Sequence, residues 1–172
     1  MDLIDFLKSY ASRFYNNDVN ENAATLQKIN ATPEVQIKDL EPNVLGQFQG
    51  SQNTLAFPTT NPSQSTIAHE TTHALDDQMR DYYLKYAAIF PREQQTLEQQ
   101  NYIDAYRKLR PEDTKLPLDQ SDTYRTNSSE LRAFGVGNSA VPYNTGYAIP
   151  HVDATMAQEF AILRGLFNKT LK

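Results

Sequence analysis

Two histidines four residues apart with a glutamate between them, His69-Glu70-Thr71-Thr72-His73, constrain this chain more than any other feature. Four residues make just over one helical turn, so on a helix both imidazoles leave from the same side. They can then share one metal ion, and Glu70 can reach a water on that ion, which is the arrangement of zinc metallopeptidases. The bland alternative is a solvated helix face with two incidental histidines. Only three histidines occur in 172 residues, and two of them fall here. A catalytic zinc takes three protein ligands and a water. The pentapeptide therefore requires a helix of its own and a second element packed against it that carries the third ligand.

The rest of the composition narrows the choices. The chain has no cysteine, so a metal must be held by His, Asp, Glu or water, and neither a disulfide nor a thiol nucleophile is available. A net charge of −5 with no basic cluster argues against nucleic acid or an anionic membrane as the main partner. No apolar run approaches the roughly 20 residues that span a bilayer. Asp2 and Asp5 interrupt the N-terminal apolar stretch, and no basic region precedes it, so it does not read as a secretory signal. The expectation is a chain that is cytoplasmic as synthesised, with virion association or export by a non-classical route as alternatives.

A chain of this length is expected to form a single α+β domain over 1–172. Leu3, Phe6, Leu7, Tyr10 and Phe14 give one apolar face to a helix over 2–16, started by Asp2. This N-terminal helical arm, 1–33, is read as packing. A second reading makes it the point where a partner protein or a larger assembly docks. A short helix is expected over 23–29. The period then changes: Val35 and Ile37, then Val44, Leu45 and Phe48, then Leu55 and Phe57 suggest a small sheet, with Gly50-Ser51-Gln52-Asn53 as a hairpin connection. The strand near 53–57 would be useful as a sheet edge, because its unpaired backbone could then take an extended peptide across the metal. The metal helix is expected from about 65 to 88, capped by Ser63 or Ser65 and ended by Pro91. A thinly apolar helix should follow to about 109, then a Pro-containing loop over 110–126. A short helix after Asn127 or Ser128 should stop at Gly135 and Gly137, and a last helix over 152–168 should carry Val152, Met156, Phe160, Leu163 and Phe167 into the core.

The third ligand must come from downstream. Glu130 fits best, because it stands in the first turn of a helix and Ala133, one turn on, would let that helix approach closely. Its bland reading is a carboxylate favoured by the helix dipole. His151 is the other candidate, as a third ligand, a group acting in the transition state or a surface residue. The spacing with a third histidine six residues after His73 is absent, since Met79 stands there. Asp76 and Asp77 are either a solvated acidic pair or carboxylates that orient a ligand or a neighbouring element. With Zn2+ in place, Glu70 would act as general base in peptide hydrolysis. Tyr124, Tyr143, Tyr147 and His151 could each stabilise the oxyanion.

Two stretches together, His69-Glu70-x-x-His73-Ala74-Leu75-Asp76-Asp77 and Tyr124-Arg125-Thr126-Asn127-x-x-Glu130, resemble the lethal-factor and Pro-Pro endopeptidase branch of the gluzincin metallopeptidases. The resemblance spans roughly residues 34–165. It implies a zincin-like fold: a small mixed sheet, then the metal helix, then a mostly helical second half. It implies His69, His73 and Glu130 as zinc ligands, Glu70 as base and Tyr124 as oxyanion donor, with a protein or peptide as substrate. Against that branch the segment 91–120 reads as an insertion. A chain of different character, a structural or assembly protein such as a virion component that keeps the fold with little or no protease activity, is the rival expectation.

Overall fold

Ser63 starts the long central helix, its Oγ accepting the backbone N–H of Thr66 at 3.1 Å. That helix, α3, runs Gln64–Ile89, and the chain turns away at Phe90 before Pro91. The structure, a computed structural model, describes residues 1–10, 17–111, 128–140 and 150–172. Among them it contains six helices and one three-stranded sheet. The expected α+β class is present.

The N-terminal helices pack against the sheet and against α3. Helix α1, Leu3–Ser9, is capped by Asp2, whose side chain accepts from the Asp5 N–H at 2.9 Å. Leu3, Phe6, Leu7 and Tyr10 are all buried, and Phe6 stacks on Phe57 with ring centroids 5.5 Å apart. The apolar face of this helix is thus engaged within the chain. Helix α2 runs Asn17–Lys28, longer than expected. Asn17 and Asp18 begin it, because a short polar residue serves a helix start as well as a stop. Asn30, at φ 55°, ends the turn that follows.

Strands β1 (Glu34–Ile37), β2 (Gln47–Gln49) and β3 (Thr54–Phe57) form the sheet in the order β1-β3-β2. β1 is parallel to β3, with Val35 opposite Leu55. β2 is antiparallel to β3, with Phe48 opposite Leu55, after the 3-10 turn Gly50–Gln52 and Asn53 at φ 48°. The hairpin lies where the turn residues predict it, but the position of β3 is corrected. β3 is the central strand, with all four residues buried and both edges paired. The edge next to α3 belongs to β2.

After a 3-10 turn at Arg92–Gln94, helix α4 (Leu97–Leu109) starts from Thr96 and Gln99, whose side chains cap each other's backbone N–H. It delivers Tyr102, Ile103 and Tyr106 to the core. Helix α5 (Ser128–Ala140) continues through both glycines expected to stop it. A Cβ at Gly135 would lie 2.8 Å from the Asp153 carbonyl oxygen and from Met156 Cβ, and one at Gly137 would lie 2.9 Å from the Ser65 carbonyl oxygen. The two glycines are contact points, Gly135 against the last helix and Gly137 against α3. Helix α6 (Pro150–Thr170) closes the core with Phe160, Leu163 and Phe167.

Candidate metal centre

Helix α3 places His69 and His73 one turn apart, and α5 brings Glu130 to them from its first turn. His69 Nε2 lies 3.1 Å from Glu130 Oε2, and His73 Nε2 lies 3.1 Å from Glu130 Oε1. The two Nε2 atoms are 3.2 Å apart. A tetrahedral zinc with bonds near 2.0–2.1 Å separates its ligand atoms by about 3.3 Å. The spacing of the two imidazole nitrogens is close to that distance, one carboxylate oxygen stands near each of them, and the donor set of two imidazoles and a carboxylate suits that ion. Among the described residues it is the one cluster of His and acidic side chains close enough to hold a metal together.

α5 secures this arrangement by several contacts. Ser129 Oγ is 3.1 Å from His73 Nδ1. Phe134, one turn beyond Glu130, meets the His69 ring edge-on with centroids 4.5 Å apart. Arg132 donates from Nε and Nη2 to Asp76 Oδ2, at 3.1 and 2.8 Å. Ala133 is fully buried, as close helix approach requires. At the other end of the crossing, Gly137 lies against Ser65 and His69. Asp76 is thus the carboxylate that orients a neighbouring element, whereas Asp77 is exposed. Arg110, from the end of α4, forms a second buried ion pair with Asp76.

Glu70 is buried beside the trio. The backbone N–H of Phe48 on β2 donates to its carboxylate. Gly46 presses on it from the same side: a Cβ there would stand 2.9 Å from Glu70 Cγ and from Thr66 Cγ2. Burial pushes the Glu70 pKa up, against the lowering pull of both histidines and the Phe48 amide. Burial opposes protonation of His73, but Glu130, Glu70 and Asp76 outweigh it and raise its pKa. For Glu130, burial is outweighed by hydrogen bonds and charge from the two histidines, and its pKa falls to about 2. A divalent cation would add its own charge to each of these balances.

Behind the pentapeptide is a polar support that the sequence pattern does not reveal. Thr71 and Thr72 are fully buried, and their hydroxyls lie 3.4 and 3.3 Å from Asn22 Nδ2 on α2. Asn22 in turn accepts from Arg164 Nη1 on α6 at 2.6 Å. These threonines, Asn22, Ser129, Arg132 and Gly46 are the residues that sequence reasoning misses. Gly46 has a visible signal only as a glycine just before β2. Asn22 and Arg164 have none, because their partners are 49 to 142 positions away.

Of the expected site residues, the structure brings together His69, His73, Glu130 and Glu70. Tyr124, Tyr143 and Tyr147 lie outside the described residues. His151 falls in the first turn of α6, with its side chain outside what is described. Compared with known proteins, the chain matches no protein-family model, no curated protein and no solved structure. The geometry of the site is therefore what its functional reading rests on.

Proposed function

We propose that the chain is a zinc-dependent endopeptidase of the gluzincin type, built on a zincin-like fold. The observation that carries this reading is the triangle of His69, His73 and Glu130 side chains, with the two Nε2 atoms 3.2 Å apart, a separate Glu130 oxygen 3.1 Å from each, and Glu70 buried next to them. Zinc, when bound there, supplies Lewis acidity that acidifies a water and polarises a carbonyl. Glu70 receives the proton of the attacking water on its carboxylate and hands it to the leaving amine. The Phe48 amide and the backbone at Gly46 keep that carboxylate from turning away. An extended peptide substrate has a docking strand in β2, whose outer edge has no strand partner among the described residues and which packs on α3. Tyr124 and His151 are the proposed groups for the developing oxyanion.

The test is Glu70→Gln, assayed for hydrolysis of a mixed peptide library and for bound zinc. Hydrolysis should fall by about 10²–10⁴-fold while one zinc per chain remains. Undiminished hydrolysis in this variant would refute Glu70 as the base.

A further inference from the structure

We propose that Ser129 is a positioning residue that fixes the tautomer of His73 and thereby strengthens metal binding by the trio. This rests on the reading of His69, His73 and Glu130 as a zinc site.

A neutral imidazole carries one N–H, and only the nitrogen without it can bind a metal. His73 turns Nε2 toward Glu130 Oε1 at 3.1 Å and toward His69 Nε2 at 3.2 Å. Its Nδ1 faces away from the triangle and meets Ser129 Oγ at 3.1 Å. For Nε2 to bind a metal, the proton must sit on Nδ1, where the serine oxygen accepts it. The Glu130 carboxylate pulls the other way, since it favours a proton on Nε2. Ser129 offsets that pull from the opposite side of the ring and lowers the cost of clearing Nε2 for the metal. A hydroxyl does here what a backbone carbonyl or carboxylate commonly does for a metal-bound histidine.

The placement is economical in chain terms. Ser129 and Glu130 are neighbours in the first turn of α5, so the turn that delivers the carboxylate also orients the second imidazole. His69 is held differently, by the edge of the Phe134 ring from the following turn. The two imidazoles thus meet separate side chains of one helix, Ser129 at His73 and Phe134 at His69.

Ser129→Ala and Ser129→Thr in the full chain test this. Zinc dissociation constants are measured by competition with a chromophoric chelator, and thermal unfolding of the metal-free proteins is measured alongside. Ser129→Ala should bind zinc about 10–100-fold more weakly, the range typical of lost partners of metal-bound histidines. Ser129→Thr, which keeps the hydroxyl, should stay within about threefold of the parent. In the zinc-loaded parent, the His73 Nδ1 proton should give a slowly exchanging NMR resonance that Ser129→Ala loses. Three results overturn the proposal: equal zinc affinity in Ser129→Ala, an equal loss in both variants, or an affinity loss that merely follows a loss of folded protein. A parent chain that takes up no zinc refutes instead the reading beneath it.

Discussion

Removing the carboxylate of Asp76 should cost this protein more than any other single polar substitution on α3. Asp76 is 4% exposed and faces two guanidinium groups, of Arg132 at 5% and Arg110 at 2%. Arg132 is fully aligned with it, whereas the Arg110 contact is an ion pair without hydrogen-bond alignment. Asp76→Asn removes the buried counter-charge that Arg110 and Arg132 share, a loss of about 3–5 kcal/mol. At 2–4 °C per kcal/mol for a chain of this size, the unfolding midpoint should drop by about 6–20 °C. The acid limb gives an independent check. Burial raises the Asp76 pKa, but Arg110 and Arg132 outweigh it and hold the group at about 2, against an ordinary value of 3.8. A depressed carboxylate contributes stability that is complete above the unfolded value and is lost as pH falls through the folded one. The parent should therefore lose about 2 kcal/mol between roughly pH 4 and pH 2 from this group, and Asp76→Asn should lack that step. Thermal unfolding measures the midpoint, and urea unfolding at several pH values measures the acid limb. A midpoint within 2 °C of the parent, roughly 1 kcal/mol or less on that scale, or an unchanged acid limb in the variant, would refute the reasoning. Replacing Asp76, Arg110 and Arg132 together by apolar residues of similar volume should recover most of the loss.

The glycines give two further expectations of opposite sign. Gly135→Ala drives a methyl to 2.8 Å from the Asp153 carbonyl oxygen and Met156 Cβ, and should destabilise by about 1–3 kcal/mol in thermal unfolding. Gly165→Ala, in α6 with nothing within 4 Å of the added Cβ, should stabilise by about 0.5–1 kcal/mol. At Gly46, alanine would displace Glu70 and Thr66 from 2.9 Å contacts. Peptide turnover should then fall by about tenfold or more, since a shift near 1 Å can cost up to 10²-fold, with zinc content unchanged. Full turnover in Gly46→Ala would show that the position of Glu70 there is not critical.

Local chemistry makes part of this architecture legible in the amino-acid sequence. Ser63, the apolar spacing of α3 and Pro91 bracket the metal helix to within a residue or two, because caps and proline act over a few positions. Glu130 can be found because a small residue one turn on, Ala133, marks a close helix contact, and Ala133 is fully buried. The hairpin at Gly50–Gln52 is legible from turn chemistry, whereas the central place of β3 depends on a parallel partner 20 residues earlier, which no local pattern encodes. Gly135 and Gly137 mislead in an instructive way. Glycine is a poor helix former, yet tertiary contact with α6 and α3 overrides that preference when any side chain would collide. The choice between Asp76 and Asp77 is open in sequence because both follow His73 within about one turn. Only the packing of α5, which brings Arg132 to one of them, decides it.

The zinc content of the purified full chain, measured by mass spectrometry after dialysis against metal-free buffer and compared with Glu130→Ala, bears most directly on the proposed metal centre. One zinc per chain in the parent, with affinity lost by about 100-fold or more in Glu130→Ala, is the expected result, because the variant keeps only two of three ligands. A parent chain that stays metal-free under zinc supplementation, above all one that assembles into multimers, would contradict it and favour a structural role. Zinc held equally well by Glu130→Ala would show that the 3.1 Å approaches of Glu130 to His69 and His73 are an ion pair and not two sides of a metal site.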